Sequence, residues 1–417
     1  MRGEYKDTPI GIIPDDWQVI KLNNLLELLT DFEANGSFSD TKHNVQVQEK
    51  DGFAWYVRAT DLEKNTPLNE VKYVNESSYK YLRKSSLQGN ELLITKRGEI
   101  GKVYYFTKPE NLNATLAPNL YLLKLNSQVI PKFLYYYFIS EKGNRTLKRI
   151  DASSALGALY KDDVKNLQVP LPSLAEQNKI TLILSTVDDK IAAINEKIAQ
   201  TQQLKNGLMQ RLLTKGVGHT KFKDSPLGEI PESWKLIRFE ETCKNISLKY
   251  SLLQGRCIDL EHIEQNTGRI IGYTEIKSSS SSKNHFKPND ILFGKLRPYL
   301  RKYWLAEFEG ACTSELLILR ATDGFDPKFL FFLVQQDRFI QNAIGNSFGT
   351  KMPRTNWKAI ADYPIAVPPL SEQHKIAEIL ITENNKLAIL QEKETLYIQL
   401  KTGLMQQLLT GKIRVKF

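Results

Sequence analysis

Two stretches of the chain carry a sustained helical period. After Pro172 no proline occurs until Pro226, and apolar residues fall at Ile180, Leu184, Val187, Ile191, Ile194, Ile198, Leu208 and Leu212. Steps of four and three make an a/d seam, with Thr201 and Lys205 as its softer positions. Gly216 supplies the stop. The pattern returns at Ile376, Leu380, Leu387, Leu390, Tyr397, Leu404 and Leu408, with Glu383 and Glu394 interrupting it. Each stretch opens on a proline-rich approach and an acidic residue, Glu176 or Glu372, where a helix dipole favours negative charge. A helix of about 38 residues would extend about 57 Å at 1.5 Å per residue. So long a helix with one apolar stripe needs a partner, and the natural partner of one copy is the other. An antiparallel pair would put the flanking domains at opposite ends, related by a pseudo-twofold axis.

The segments before the two helices, about 18–168 and 235–364, change period and read as mixed α/β. Short apolar runs predict strands at Ala54–Ala59, Leu92–Thr95, Lys102–Thr107 and Asn119–Leu125. In the second segment the corresponding runs are Ile291–Gly294, Arg301–Ala306 and Glu315–Arg320. An aromatic helix follows in each, Pro131–Phe138 and Pro327–Leu333, with proline at its start.

The chain therefore says most things twice, and a repeat fixes architecture before any local reading. Lys6-Asp7-Thr8-Pro9, Gly11, Ile13-Pro14 and Trp17 return as Lys223-Asp224-Ser225-Pro226, Gly228, Ile230-Pro231 and Trp234. Pro172-Ser173-Leu174-Ala175-Glu176-Gln177 returns as Pro368-Pro369-Leu370-Ser371-Glu372-Gln373. Gly207-Leu208-Met209-Gln210 returns as Gly403-Leu404-Met405-Gln406. Trp17 and Trp234 are 217 positions apart but Glu176 and Glu372 only 196, so the first repeat carries 21 extra residues between its matched ends. Matched ends read as a frame, and unmatched middles as two different things held by it.

Composition narrows the function classes. At 417 residues, two or three domains are expected, and 41% hydrophobic with 25% charged residues is ordinary for a globular protein. No apolar run approaches the roughly 20 residues of a membrane helix, and the start has no apolar signal core, so a cytoplasmic location is expected. Cys243, Cys257 and Cys312 lack any Cys-x-x-Cys pair and read as reduced side chains. The five histidines show no His-x-x-x-His pair, and no metal is expected. Gly98-Glu99-Ile100-Gly101-Lys102-Val103 is too short for a phosphate loop, and no Gly-x-Gly-x-x-Gly cradle occurs. Asp259 with Glu275-Ile276-Lys277 loosely resembles a nuclease pattern that chance supplies readily. No catalytic residue is assigned.

A net charge of +10 and a pI of about 9.1 suit a polyanionic partner. The candidate DNA contacts lie where basic residues meet glycines and aromatics, because phosphates need uncovered Lys or Arg and bases need forked donors. They are Arg58 and Thr60, then Lys96, Arg97 and Lys102 in the first segment. In the second they are Lys295, Arg297, Tyr299 and Arg301, then Lys351 and Arg354. For any one of them a solvated surface charge is the default. Lys142, Arg145, Lys148 and Arg149 add a basic helix face, either solvated or steering phosphates.

The chain resembles the specificity subunits of type I restriction–modification systems. The residues that carry this are Ile13-Pro14-x-x-Trp17 with Ile230-Pro231-x-x-Trp234, the Glu176-Gln177 and Glu372-Gln373 helix starts, and the Leu-Lys-x-Gly-Leu-Met-Gln ends at 204–210 and 400–406. The resemblance implies an α+β architecture: two similar mixed α/β target-recognition domains separated by two long helices packed as an antiparallel coiled coil. On this reading 1–168 and 217–364 are the recognition domains, the latter opening on the repeated motif at 222–235. The long helices, with a basic tail on the second, would occupy 169–216 and 365–417. It further implies a non-catalytic partner of double-stranded DNA that reads one half-site with each domain. Two adenine methyltransferase subunits, and restriction subunits where the system has them, would assemble on it. S-adenosylmethionine would then belong to the methyltransferase, ATP and Mg to the restriction subunit, and no cofactor to this chain. Helix length would set the spacer between half-sites. The competing reading is a coiled-coil protein adaptor without DNA specificity.

Overall fold

A computed structural model describes residues 4–153, 158–250, 254–276 and 283–415. Contacts divide the chain into two units, Met1–Ile194 with Lys393–Phe417, and Asn195–Glu392. Each globular segment falls within one unit, but the long helices, Leu174–Lys215 and Leu370–Leu408, are shared between the two. The linear division 1–168, 169–216, 217–364 and 365–417 cuts at helix ends, whereas contacts cut through the helices. A helix buries its stripe on whatever lies beside each half of it.

The first unit holds two sheets. One runs antiparallel in the order Val103–Tyr105, Leu92–Thr95, Leu120–Leu125, Leu26–Asp31. The other runs Val47–Gln48, Tyr73–Val74, Ala54–Val57, Asn113–Leu116, Ser86–Leu87, with Ala54–Val57 parallel to Asn113–Leu116. The second unit repeats this order, except that among the described residues its second sheet has four strands and no counterpart of Val47–Gln48. Its antiparallel sheet is Tyr303–Leu305, Ile291–Gly294, Leu316–Ala321, Cys243–Ile246. Its other sheet is Thr274–Ile276, Gly255–Ile258, Gly310–Cys312, Asn284–Phe286, again with one parallel pair, Gly255–Ile258 beside Gly310–Cys312. The two middles thus share a topology while sharing little sequence.

The expected strands lie within a residue or two of those observed, because the central strands are buried on both faces and read as continuous apolar runs. Leu92 and Ile94 pack toward the helices with Phe133 and Tyr137, while Leu93 packs toward the other sheet with Trp55 and Leu116. Ile291 and Phe293 divide from Leu292 in the same way. In the other sheet only Ala54–Val57 forms such a run; strands such as Asn113–Leu116 and Asn284–Phe286 are short and partly polar and left none. The aromatic helices span Pro131–Ile139 and Pro327–Leu333.

Every apolar seam position of the two long helices is buried or half-buried. In the first unit Glu176 lies against Arg414 and Asp188 against Lys401, so the helix segments run antiparallel there. In the second unit Leu212 and Leu213 share a core with Ile376 and Leu380, and Glu372 meets His219. Among the described residues no helix is long and apolar enough to cross a membrane. All three cysteines are free and buried, and burial pushes the Cys243 and Cys312 thiols up to about 12.

The Glu-Gln pair at each helix start is a joint. Glu176 Oε2 accepts the Trp17 indole N–H at 2.9 Å, and Glu372 Oε2 accepts that of Trp234 at 3.1 Å. Gln177 accepts from the Ile130 amide at 2.8 Å and donates to the Pro172 and Gln128 carbonyls at 3.0 and 3.2 Å. Gln373 accepts from the Asp326 amide at 2.9 Å and donates to the Pro368 and Gly324 carbonyls at 3.0 and 3.4 Å. The returning tail closes the joint. Arg414 grips Glu176 at 2.7 and 2.9 Å and Asp16 at 2.8 and 2.7 Å. At the equivalent place Glu372 is met by His219 at 2.8 Å and the Val217 amide at 3.0 Å. The helix-stop glycines sit at φ +66 and +69, and a Cβ on Gly216 would overlap Glu372 and Trp234, on Gly411 Pro14.

Glu176→Ala orphans the Trp17 N–H and frees Arg414, whose partial exposure moderates the loss. The expected cost is about 2–3 kcal/mol. Glu372→Ala, which leaves no guanidinium behind, is expected to cost about 1–2 kcal/mol. Denaturant midpoints at constant m-value measure both, and equal costs would refute the distinction.

Candidate nucleic-acid interface

The strongest basic cluster of each middle occupies one structural place. In the first unit the chain leaves Leu92–Thr95, passes through 96–102 and returns as Val103–Tyr105. In the second it leaves Ile291–Gly294, passes through 295–302 and returns as Tyr303–Leu305. The backbone bonds match. Thr95 N–H donates to Lys102 O and Gly294 N–H to Lys302 O, at 3.0 and 2.8 Å. Lys96 N–H donates to Asn119 O and Lys295 N–H to Glu315 O, both at 2.9 Å. A later segment crosses each loop at the same point, through bridges Arg97↔Ala158 and Leu296↔Arg354.

Each loop has two left-handed residues. In the first they are Gly98 and Gly101, at φ +80 and +76; in the second they are Arg297 and Arg301, at +50 and +51. Left-handed backbone costs an L-residue roughly 1–2 kcal/mol, which glycine avoids. Backbone strain of this kind concentrates at functional sites.

The structure sorts the candidates by whether a carboxylate already holds them. Lys96 has an almost fully buried side chain; its ammonium bonds Asp31 at 3.1 Å and Glu33 at 2.7 Å and lies 5.5 Å from the Tyr121 ring. It anchors the loop from inside and is not offered to a phosphate, contrary to the expectation. Lys102 lies between Glu63 and Glu99, whose hydrogen bonds push its amine well up. Arg58 clamps the buried Asp61 with two bonds of 2.8 and 2.6 Å. Arg97 and Thr60 are exposed, and among the described residues neither has a side-chain hydrogen bond or ion pair.

In the second unit the structure joins two separate stretches of sequence. The Arg297 amide donates to Pro353 O at 2.7 Å, and the Leu296↔Arg354 bridge ties 348–354 to 295–302. Lys295, Arg297, Tyr299 and Lys351 lie on these two segments, and among the described residues none of them has an ionic partner. The Arg297 Nε is buried with no hydrogen bond, and Tyr299 is 49% exposed. Arg301 pairs with Asp337 at 2.5 Å, and Arg354 with Glu315 at 3.2 and 3.4 Å. Sequence reasoning missed Arg256, an exposed guanidinium 4.8 Å from both the Tyr273 and the Phe308 rings. Those rings come from loop positions 17 and 52 residues further along the chain, so nothing local signals the clamp.

Glu275 pairs across the strands with Arg256, and Lys277 lies outside the described residues. Asp259, Glu261 and His262 bring ligand atoms within 4.8 Å of one another, but His262 Nδ1 already accepts the Asp259 N–H at 3.0 Å.

One fold used twice, each copy presenting a hairpin loop of its own basic composition, defines a duplicated recognition protein. The type I restriction modification DNA specificity domain family matches residues 14–203 and 263–398, and the chain belongs to that family. It is 25% identical over 424 residues to the type I restriction enzyme MjaVIII specificity subunit of Methanocaldococcus jannaschii, covering 97% of this chain and 94% of that one. It is 25% identical over 398 residues to the EcoDI specificity subunit of Escherichia coli, covering 88% and 81%. The crystal structure of the S subunit of a type I system from M. genitalium shares the fold, with a TM-score of 0.57 at 16% identity and coverage of 94% and 96%.

Arg297→Gly removes a left-handed arginine and a buried unpaired N–H, so the unfolding midpoint is expected to hold or rise. Gly101→Ala places a Cβ 3.1 Å from that of Leu147 at φ +76, and is expected to cost about 1–2 kcal/mol. Thermal melts of the two variants decide it; a destabilised Arg297→Gly would show that this arginine serves the fold.

Proposed function

We propose that this chain is the DNA-reading subunit of a type I restriction–modification complex, with each middle domain reading one half of a bipartite site. The observation that carries the reading is the pair of equivalent loops. The backbone bonds that anchor their ends match, yet one offers Arg97 and the other Lys295, Arg297 and Tyr299, with Lys351 on the segment that crosses it. A common scaffold docks two domains on the same polymer, and different side chains at the docking point read different bases. The membership of the whole chain in a DNA specificity family supports it, as do relatives named specificity subunits.

The joints suit a second task. Trp17 with Glu176 and Trp234 with Glu372 repeat one geometry, so one kind of partner can be bound twice. Two adenine methyltransferase subunits fit that duplication, with restriction subunits added where the system has them. Recognition is this chain's part. S-adenosylmethionine, ATP and Mg belong to the partners' chemistry.

Methylation mapping in cells expressing this chain with its methyltransferase is expected to give one bipartite motif. Exchanging 295–302 with 348–354 is expected to change one half only. In binding assays with the assembled methyltransferase, Arg97→Ala and Lys351→Ala are each expected to cost about 1 kcal/mol, roughly fivefold. Each should also reduce the salt slope by about one phosphate contact. Affinity independent of salt, or a motif unchanged by the exchange, would overturn the reading.

A further inference from the structure

Lys205 sits in the seam of the first long helix with 4% of its surface exposed. Among the described residues it has no hydrogen-bond or ionic partner. Its equivalent in the repeat is Lys401, which is fully served. Lys401 bonds Asp188 at 2.6 Å and lies 5.7 Å from the Tyr136 ring, whose hydroxyl donates to the same Asp188 at 2.7 Å. The repeat places Asn384 where Asp188 would be and Phe332 where Tyr136 would be. The second unit has kept the buried cation and lost both the carboxylate and the hydroxyl that accompany it in the first. The buried acid on an adjacent turn, Glu383, is bonded to Lys386 at 2.6 Å.

Lys205 lines a cavity of about 760 Å³ that lies wholly within the second unit. Around it stand Asn206, Gln210, Lys215, Arg301 and Arg338. Two of these cations are neutralised, Lys215 by Glu229 at 2.8 Å and Arg301 by Asp337 at 2.5 Å. Arg338 spends one N–H on the Leu227 carbonyl. Among the described residues, Lys205 and Arg338 are the lining cations left without a carboxylate, and of the two Lys205 is the more deeply buried. A buried ammonium without a counterion is costly, and a cavity of a few hundred cubic ångströms is the usual size for a small ligand. Burial, with Arg269 nearby, pushes the Lys205 amine down to about 8. An arriving anion would reverse that.

We propose that this cavity is a binding site for a small free phosphorylated anion, held by Lys205 at its base and by Arg338 and the surrounding amides. A phosphate group suits the set, because its oxygens can accept from ammonium, guanidinium and carboxamide donors at once. The depth of Lys205 favours a free anion over a phosphate of the DNA backbone, which runs along surfaces.

The test is calorimetric titration of the full chain with inorganic phosphate and with pyrophosphate, at constant ionic strength maintained with chloride. Saturable binding is expected. Lys205→Met is expected to weaken it at least tenfold without lowering the melting temperature. Asn384→Asp, which rebuilds the carboxylate of the first unit, is expected to raise the melting temperature and weaken phosphate at least tenfold while Lys205 remains in place. Binding unchanged in both variants would overturn the site. A response no greater than that to chloride would also overturn it. Displacement of phosphate by duplex DNA would overturn the assignment to a free anion.

Discussion

The structure depends on a Glu-Gln pair at the first turn of each long helix, buried at Glu176, Gln177 and Gln373 and half-buried at Glu372. The carboxylate of Glu176 or Glu372 takes the indole N–H of a tryptophan 159 or 138 residues earlier. The neighbouring carboxamide of Gln177 or Gln373 ties the loop ahead of the aromatic helix to the proline-rich approach. Three segments far apart in sequence thus meet at one helix start. Both residues are acceptors where helix N-termini, indoles and loop amides offer donors, so burial strengthens these bonds instead of penalising them. Removing either acceptor would leave buried donors unpaired.

With the joint fixed, the middles are free to diverge. A loop anchored at its ends by the same backbone bonds can vary between them, which is how Gly98 and Arg297 occupy one place with opposite tolerance for it. The same freedom operates in the helix seam, where Lys401 keeps its aspartate and the repeat gives Asn384 as the equivalent of that aspartate in the half that holds Lys205. Duplication preserved geometry and released chemistry. What distinguishes the halves is therefore found by comparing equivalent positions.

Much of the fold was legible. The a/d period, the proline boundaries and the apolar runs located the long helices, the aromatic helices and the central strands, because each is a local consequence of one or two buried faces. The duplicated motifs located the joints. The second sheet was legible in the first unit only at the fully buried Ala54–Val57 and in the second unit not at all, since short partly polar strands such as Asn284–Phe286 are specified by their neighbours. The candidate interface was legible as a place and only partly as a set of residues. Lys96 meets Asp31, 65 residues away, and Lys102 meets Glu63, 39 residues away. Whether a lysine is free or spent is decided by carboxylates that no local pattern announces.

The sequence alone thus determined the repeat, the element types, the matched frame and the family resemblance, all of which follow from periodicity and recurrence along the chain. Tertiary structure alone decided which basic residues remain available, that 295–302 and 348–354 form one surface, that Arg256 is clamped by two rings, and that Lys205 lacks the counterion its twin possesses. The physical reason is common to all four. Charge and burial are settled by what lies beside a side chain in space, and for these residues the neighbours come from distant segments.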